Sequence, residues 1–365
     1  MKRFKRRRTG ALIATLGVIG MATGAAAQDP FRPKADNGGG VALTVENDTW
    51  VPGDDTDRYY TQGMRLTGLL GPDGDGPVGR LVFGLIPDDW GSRLDDDWNL
   101  RATMGVGQHM YTPEEKSAVV PDPLDRPYAG WLYLSSSAFA YKENEIGGLE
   151  LQLGVVGPDA HAGPLQNWFH RRIGAPPVNG WASELNNEFG VNLHGEWRRR
   201  YVLAGTDRWG ADAFAIATAA FGNVEISGGA GTMIRLGYNL REDYGPPRLR
   251  PGAAGTEFFT GRGDRTSLYV FAGVYGRAVG RDIFLDGNTF SDSASVDRET
   301  WVPEYTWGAA WRTPNLYVGW GRYLAGPRIS YTYVERGHEF AGQRGPSRFG
   351  AWSITFVRNG LEALW

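Results

Sequence analysis

The stretch SLYVFAGVYGR, residues 267–277, alternates between two sets of side chains. Its even positions from 268 to 274 are leucine, valine, alanine and valine, whereas its odd positions from 269 to 275 are aromatic residues and glycine. A period of two is typical of a β-strand, because successive side chains point to opposite faces. The segments RISYTYVE (328–335) and AWSITFVR (351–358) alternate in the same way. We therefore predict a chain built mainly of strands.

These strands fit a transmembrane antiparallel β-barrel better than a soluble barrel or sandwich, although alternation alone does not separate the two. The segments reach about 10 residues, the length that a tilted spanning strand needs. Aromatic residues make up 13% of the chain, enough for the girdles found at both membrane interfaces. The given sequence also finishes with an aromatic residue, Trp365, as outer-membrane barrels often do. Trp365 lies several residues beyond the last predicted strand, which weakens this signal.

We predict about 12 strands and one short helix. The helix is expected in the loop after strand five, starting near Pro164 and ending near Gly174. The long connection 70–98 has room for another short helix. The predicted strands are 41–49, 59–69, 99–110, 129–143, 147–158, 188–203, 210–221, 228–240, 266–279, 302–312, 315–336 (with a bend near 325–327) and 347–357.

The N-terminal segment has the pattern of a secretory signal peptide. Six basic residues precede the apolar run 11–24, and small residues at Ala25 and Ala27 predict cleavage after Ala27. Residues 28–40 form a leader and residues 41–365 the barrel domain. Cleavage leaves 32 basic and 41 acidic residues, a net charge of −9, which argues against nucleic-acid binding. With no cysteine, stability must come from packing and barrel closure.

The stretch TVENDTW, residues 44–50, ends the first strand with polar, oxygen-bearing side chains. Asn47 and Asp48 form either an ordinary turn or part of a site. If both termini are periplasmic, every odd-to-even connection is extracellular. Strand parity then brings Asn47 and Asp48, Thr61 at the start of strand two, and the helix carrying His170 to the outer mouth.

Five motifs, TVENDTW, RYYTQGMRL, DRPYAGW, GVVGPDA…QNWFHRRIG and GW…LNNEFGVNL, resemble the LpxR family of outer-membrane lipid A deacylases. The resemblance covers about residues 41–357. It implies a 12-stranded barrel that removes the 3′-linked acyloxyacyl group of lipid A with the help of Ca²⁺. The matching family residues are Asn47, Asp48, Thr61 and His170, together with Gln166 one helical turn before the histidine.

The residues themselves are compatible with ester hydrolysis. The chain has no cysteine and no Gly-X-Ser-X-Gly, so water is the expected nucleophile and His170 the candidate base. Asp48 and Asn47 offer hard oxygens for Ca²⁺, which could polarise the ester carbonyl. Thr61 offers a hydroxyl, and Gln166 shares a helix face with His170. Glu46 alternates away from Asn47 and is left out of the site.

The sequence leaves alternatives for the base, for the roles of several arginines and for the function. Among the other histidines, His161 lies in the same loop as His170 and is a rival base. Arg126 in DRPYAGW belongs to a structural corner or contacts a lipid phosphate, and we favour the corner. The arginines at 198–200 are expected to anchor the inner interface. A phospholipase or other lipid esterase, a passive pore and a non-catalytic surface barrel compete with the lipid A hydrolase, for which we expect a monomer in the outer membrane.

Overall fold

A computed structural model of the chain shows an antiparallel β-barrel. The residues that it describes are 39–51, 59–70, 98–206, 208–240, 243–249, 253, 255–258, 266–314, 316–317, 323–324 and 326–357. The predicted signal peptide, most of the leader, the connection 71–97 and the C-terminal residues 358–365 lie outside them. None of the described helices is long and apolar enough to cross a membrane.

Twelve strands close the barrel, and each pairs with its two neighbours. The barrel strands are β1 Gly40–Asn47, β2 Tyr59–Leu69, β3 Asn99–Thr112, β4 Ala129–Lys142, β5 Glu145–Val156, β6 Glu188–Gly205, β7 Trp209–Gly222, β8 Glu225–Tyr238, β9 Ser267–Asp282, β10 Trp301–Arg312, β13 Arg328–Arg336 and β14 Ser347–Val357. The seam is β1 against β14, from Gly40 opposite Val357 to Asn47 opposite Gly350. The predicted fold class and strand number are confirmed.

The eleventh predicted strand, 315–336, is wrong in its first half. The chain there forms a separate two-stranded hairpin, β11 Leu316–Tyr317 and β12 Tyr323–Leu324, before β13 begins at Arg328. The backbone N–H of Thr313 donates to the carbonyl of Pro327 and closes the base of this connection. Prolines at 314 and 327 supply no ladder N–H, which explains why one continuous strand cannot form.

A continuous apolar belt covers the outside of the barrel. Ile354, Leu43, Leu66, Val106 and Leu134 lie directly opposite one another on five consecutive strands. All five side chains are exposed. A soluble barrel would bury such residues, so this outward apolar face identifies a barrel that faces lipid.

The interior is polar and filled with ion pairs. Arg235 of β8 is fully buried and contacts the carboxylates of Asp212 and Asp243. The arginines of β6 correct one prediction, because Arg198 and Arg200 alternate into the barrel instead of facing the inner interface. Buried charges of this kind need partners, and the alternation of polar-in and apolar-out supplies them across the lumen.

Both ends of the barrel are closed by its own loops. We call the end where odd strands finish the loop end, and the other the terminus end. At the loop end, Leu185 and Ile283 are fully buried in the interior cluster, and Phe284 stacks on Tyr111 with ring centroids 4.2 Å apart. At the terminus end, residues 243–249 enter the barrel, where Arg198 donates to the carbonyls of residues 244 and 246 at 2.7 and 2.8 Å.

Side chains and inserted loops therefore occupy much of the described lumen. An interior cavity of about 30 Å³ is lined by residues that include His109, His194, Glu225 and Asp282. This volume holds only one or two water molecules. The passive pore considered from the sequence has no support in the described part of the chain.

Two helices lie at the loop end. The first, α1, spans Ala162–Ile173 and follows β5, as predicted. It ends at Gly174, whose φ of 75° is left-handed and favours glycine, and the Gly174 N–H donates to the carbonyl of His170. The second, α2, is a single turn, Ile283–Asp286, capped by the Asp282 side chain.

Candidate active site

The end of β1 forms a short 3₁₀ turn, Asp48–Trp50. The side-chain oxygen of Asn47 caps this turn by accepting from the Thr49 backbone N–H at 2.8 Å and from the Thr49 hydroxyl. Both acceptor positions of that oxygen are thus occupied. Asp48 is buried, with 1% of its surface exposed. The turn considered from the sequence is therefore present, and it holds the buried carboxylate of Asp48 at the rim of the barrel.

A β-bulge displaces Thr61 from the ladder between β2 and β3. Tyr60 pairs with Tyr111 and Gln62 with Met110, so Thr61 is an extra residue between them. Bulges redirect side chains, and here the Thr61 hydroxyl lies 2.7 Å from the hydroxyl of Thr112. Thr112 is two residues from Met110 along β3, which places both on one face of that strand.

Helix α1 lies on the outer wall of the barrel. Met110 belongs to one buried cluster with Tyr128, Ala162, Val178 and Trp181, which joins β3 to the start of α1 and to the segment after it. Its neighbours His109 and Tyr111 line the interior cavity, so Met110 points outward. The outward Gln108 side chain donates to the carbonyl of residue 160 at 2.6 Å.

The close approach of the helix depends on a glycine in β4. A Cβ added at Gly130 would lie 2.7 Å from the Cβ of Ala162 and 3.0 Å from that of Ala160. Both distances are shorter than van der Waals contact. The absence of a side chain at Gly130 therefore lets the start of α1 rest directly on the barrel wall.

Gln166 anchors α1 to the segment that follows it. The indole Nε1–H of Trp181 donates to the Gln166 side-chain oxygen at 2.7 Å, and Gln166 is almost completely buried. A buried amide oxygen that lost this donor would be costly. In this arrangement Gln166 positions the helix, and its oxygen is already used.

His170, one turn further along α1, is half-buried and orientated by the backbone. Its Nδ1 lies 2.6 Å from the carbonyl oxygen of Pro176. A carbonyl can only accept, so Nδ1 carries the proton, and Nε2 keeps its lone pair in the neutral ring. This is the arrangement that a histidine base requires, with the second nitrogen fixing the tautomer.

The rival histidines are placed less suitably. His109 and His194 face the interior of the barrel, where they line the small cavity. His161 precedes α1 in a left-handed conformation with φ of 55°, and it makes no side-chain cap hydrogen bond. His338 is exposed in the connection between β13 and β14. Of the five histidines, His170 alone is on the outer wall with a backbone carbonyl on Nδ1.

The predicted site residues fall into two groups at one end of the barrel. Asn47 pairs with Gln62 across β1 and β2, and Gln62 pairs with Met110 across β2 and β3. Met110 in turn packs against α1, which carries Gln166 and His170. The sequence prediction that strand parity brings these residues to the same end therefore agrees with the described geometry. The connection 52–58 between β1 and β2 lies outside the described residues.

The described residues fit Ca²⁺ only in part. Among them, no group of three or more His, Asp or Glu side chains could hold a metal ion. Asp48 is a suitable hard ligand, but the side-chain oxygen of Asn47 is committed to Thr49. Since Ca²⁺ takes 6–8 oxygen ligands, Asp48 would need backbone carbonyls, water or substrate oxygens to complete a site.

Several groups that hold the predicted site residues in place were not identified from the sequence. Thr112, Trp181 and the carbonyl of Pro176 each hold a predicted residue in place, but such partners are set by tertiary contacts and leave no local pattern. Glu184 follows Trp181 in the same segment: burial raises the pKa of its carboxyl to about 7, and its backbone N–H donates to the carbonyl of Trp181.

The DRPYAGW segment is a structural corner, as favoured from the sequence. Arg126 has no exposed surface, and its guanidinium lies 4.6 Å from the Tyr111 ring centroid and 3.6 Å from the Glu339 carboxylate. Asp125 accepts from the backbone N–H groups of Glu114 and Arg126, while burial raises its pKa. A lipid phosphate could not reach this arginine without opening the corner.

Comparison with known proteins identifies a related family. The sequence model of the family described as outer membrane protein LpxR matches residues 11–357. The structure is similar to LpxR from Salmonella typhimurium, with a TM-score of 0.68 and 20% identity over 87% of this chain and 99% of that one. The β domain of a Bordetella autotransporter is far less similar, with a TM-score of 0.41 and 10% identity over 89% and 100% of the two chains. No curated protein sequence matches the chain.

Proposed function

The chain belongs to the LpxR family of outer-membrane proteins, and from this premise we propose that it is a lipid A deacylase. The reaction is hydrolysis of the ester that holds the 3′-linked acyloxyacyl group. The observation that carries the proposal is the position of His170: a histidine with a fixed tautomer on a helix attached to the lipid-facing wall.

His170 acts as the general base in this proposal. Its Nε2 takes a proton from water as the water oxygen attacks the ester carbonyl. The acyl C–O bond then breaks, and the imidazolium gives its proton to the departing sugar oxygen, which leaves as a hydroxyl group. Gln166 and Trp181 hold α1 at the wall, so that the base keeps its place. Thr61 offers a hydroxyl at the bulge, where it can donate to the ester or to its oxyanion. The barrel supplies a rigid frame for these groups.

Ca²⁺ is part of the proposal. Asp48 would hold it with one hard oxygen, and Asn47 would join only if its side chain left Thr49. When bound, Ca²⁺ stabilises the negative charge that develops on the ester oxygen. The remaining ligands would come from groups other than the described acidic residues.

The loop end faces the cell exterior in this proposal, after a signal peptide has directed the chain to the outer membrane. Substrate then reaches α1 from the outer leaflet, where lipid A resides. We propose a monomer with no nucleic-acid partner.

Mass spectrometry of purified lipid A tests the proposal. The detergent-solubilised protein is incubated with lipid A in the presence of Ca²⁺ or of a chelator. We expect loss of the 3′-acyloxyacyl mass, abolished by the chelator and by His170→Ala. His161→Ala is the matched control, because His161 lies in the same loop and is exposed; it should retain activity.

A phospholipase or other lipid esterase is the alternative, because the same base and cation suit any ester at the membrane surface. Phospholipid incubated in parallel decides between them. Cleavage of phospholipid with lipid A unchanged would keep the site and replace the substrate. Absence of hydrolysis from both lipids would leave a non-catalytic barrel and refute the enzyme proposal.

A further inference from the structure

One face of α1 changes from buried to exposed along its length. On a helix of 3.6 residues per turn, positions 162, 166, 169 and 173 lie within about 60° of one another. The first two, Ala162 and Gln166, are buried with at most 3% of their surface exposed. The last two, Phe169 and Ile173, are 45% and 60% exposed. The wall therefore covers only the first half of this face.

The two exposed residues are apolar and lie beside the candidate base. His170 is adjacent to Phe169 in sequence and about one turn before Ile173 on the helix. An amphipathic helix normally covers its apolar face, and apolar residues left open on the side towards the protein mark a binding surface. Trp168 and Arg171 point away from this face and Arg172 lies at its edge, and all three are also exposed.

This uncovered face continues the apolar belt of the barrel. Met110, which contacts α1, is four residues along β3 from the belt residue Val106, a distance of about 13 Å on the same face of the strand. Gly130, which also contacts α1, is four residues along β4 from the belt residue Leu134 and on the same face of that strand. A chain that lies against the belt can thus extend to the helix without leaving an apolar surface.

We propose that Phe169 and Ile173 bind the fatty acyl chain of the substrate next to the scissile ester and set the preferred chain length. This inference rests on the proposed function and specifies its substrate contacts. The exposed guanidinium groups of Arg171 and Arg172 complement the anionic phosphates of such a glycolipid. A fatty chain held at Phe169 and Ile173 puts its ester close to Nε2 of His170.

Kinetics with lipid A bearing short or long acyl chains test the proposal. We expect Phe169→Ala and Ile173→Ala to lower kcat/KM for the long chain roughly tenfold more than for the short chain, since each lost apolar contact acts on the longer chain. Trp168→Ala, on the opposite face, is the control and should change both substrates equally. An equal effect of Phe169→Ala and Ile173→Ala on both chain lengths would overturn the proposal.

A second measurement does not depend on activity. Because the chain has no cysteine, Ile173→Cys and Arg171→Cys can each carry a single nitroxide spin label in the full-length protein. Micelles are prepared with and without lipid A that carries a relaxation agent on an acyl chain. We expect faster relaxation at position 173 than at position 171. Equal relaxation at both positions would overturn the inference.

The two measurements separate failure of the inference from failure of the proposed function. If the wild-type protein releases nothing from lipid A, the deacylase proposal fails, and the spin labels alone decide whether Phe169 and Ile173 contact an acyl chain. If lipid A is cleaved but neither measurement distinguishes the two helix faces, the deacylase stands and the acyl-chain site is refuted.

Discussion

The Nδ1 atom of His170 lies 2.6 Å from the carbonyl oxygen of Pro176, six residues further along the chain. The left-handed Gly174 makes this contact possible, because it ends α1 and turns the backbone towards the imidazole. One backbone carbonyl thereby determines which nitrogen of the ring is basic.

Replacing His170 with asparagine should lower kcat about 10²- to 10⁴-fold, the usual contribution of a general base. The side chain is half-buried and lies on a helix outside the barrel wall, so the barrel should still unfold at the wild-type temperature. Release of fatty acid and heat-modifiability on gels measure the two properties. A variant with full activity would remove His170 from the mechanism.

Separating Gln166 from Trp181 should weaken the attachment of α1. Trp181→Phe leaves a buried amide oxygen without its donor, at a cost of about 1–3 kcal/mol. Gln166→Leu combined with Trp181→Phe should be less harmful than the sum of the single changes. Deacylation rates in a double-mutant cycle measure this coupling, and strictly additive effects would contradict it.

Adding a side chain at Gly130 should displace α1 and leave the barrel intact. The new Cβ of Gly130→Val would lie far inside contact distance of Ala162. Gly195→Ala is the matched control, because a Cβ there meets its nearest atom, on Leu149, at an ordinary 3.5 Å. We expect activity to fall for the first variant only, with unchanged barrel melting for both. Normal activity of Gly130→Val would refute the dependence on close packing.

The segment around Glu184 should become less stable as the pH rises. The carboxyl has an ordinary pKa of 4.5 in the unfolded chain, and burial raises it to about 7 in the folded protein. Between these values the unfolded chain ionises first and binds fewer protons, so stability is highest below pH 4.5 and falls as the pH approaches 7. The Leu185 amide, which donates to the carbonyl of Tyr128, reports this opening by hydrogen exchange after correction for intrinsic rates. Glu184→Gln should abolish the trend.

Removal of Ca²⁺ by a chelator should abolish hydrolysis, and added Ca²⁺ should restore it. Asp48→Asn removes the buried carboxylate and should raise the Ca²⁺ concentration needed for half-maximal activity. Thr49→Val frees the side-chain oxygen of Asn47 from one hydrogen bond. This variant should lower the Ca²⁺ concentration needed for half-maximal activity. Activity that is insensitive to chelation would exclude the metal from the proposal.

The alternation of side chains, together with segment length and aromatic content, predicted the barrel, because one face meets lipid and the other a polar lumen. It failed at 315–327, where prolines interrupt the ladder. It also misplaced Arg198, since a charge near a strand end can face either way and a buried carboxylate, Glu196, determines the outcome.

The site was less predictable than the fold. Asn47, Asp48 and Thr61 could be brought to one end by strand parity, and the helix carrying His170 could be recognised from its proline and glycine. The position of α1 outside the wall could not be predicted, because it depends on the missing side chain of Gly130 and on small residues that face it. The bulge at Thr61 likewise leaves no local pattern in the sequence; next to it the Tyr60 hydroxyl donates to the Glu46 carboxylate inside the barrel at 2.7 Å.

The attachment of α1 to the outside of the wall has a kinetic consequence. If the protein is the proposed lipid A deacylase, a substrate that approaches along the apolar belt diffuses in the two dimensions of the leaflet and does not pass through bulk water or the lumen. The encounter rate then depends on the mole fraction of substrate in the membrane surface. Diluting the substrate with inert lipid should slow the enzyme, whereas diluting the whole suspension with buffer should not.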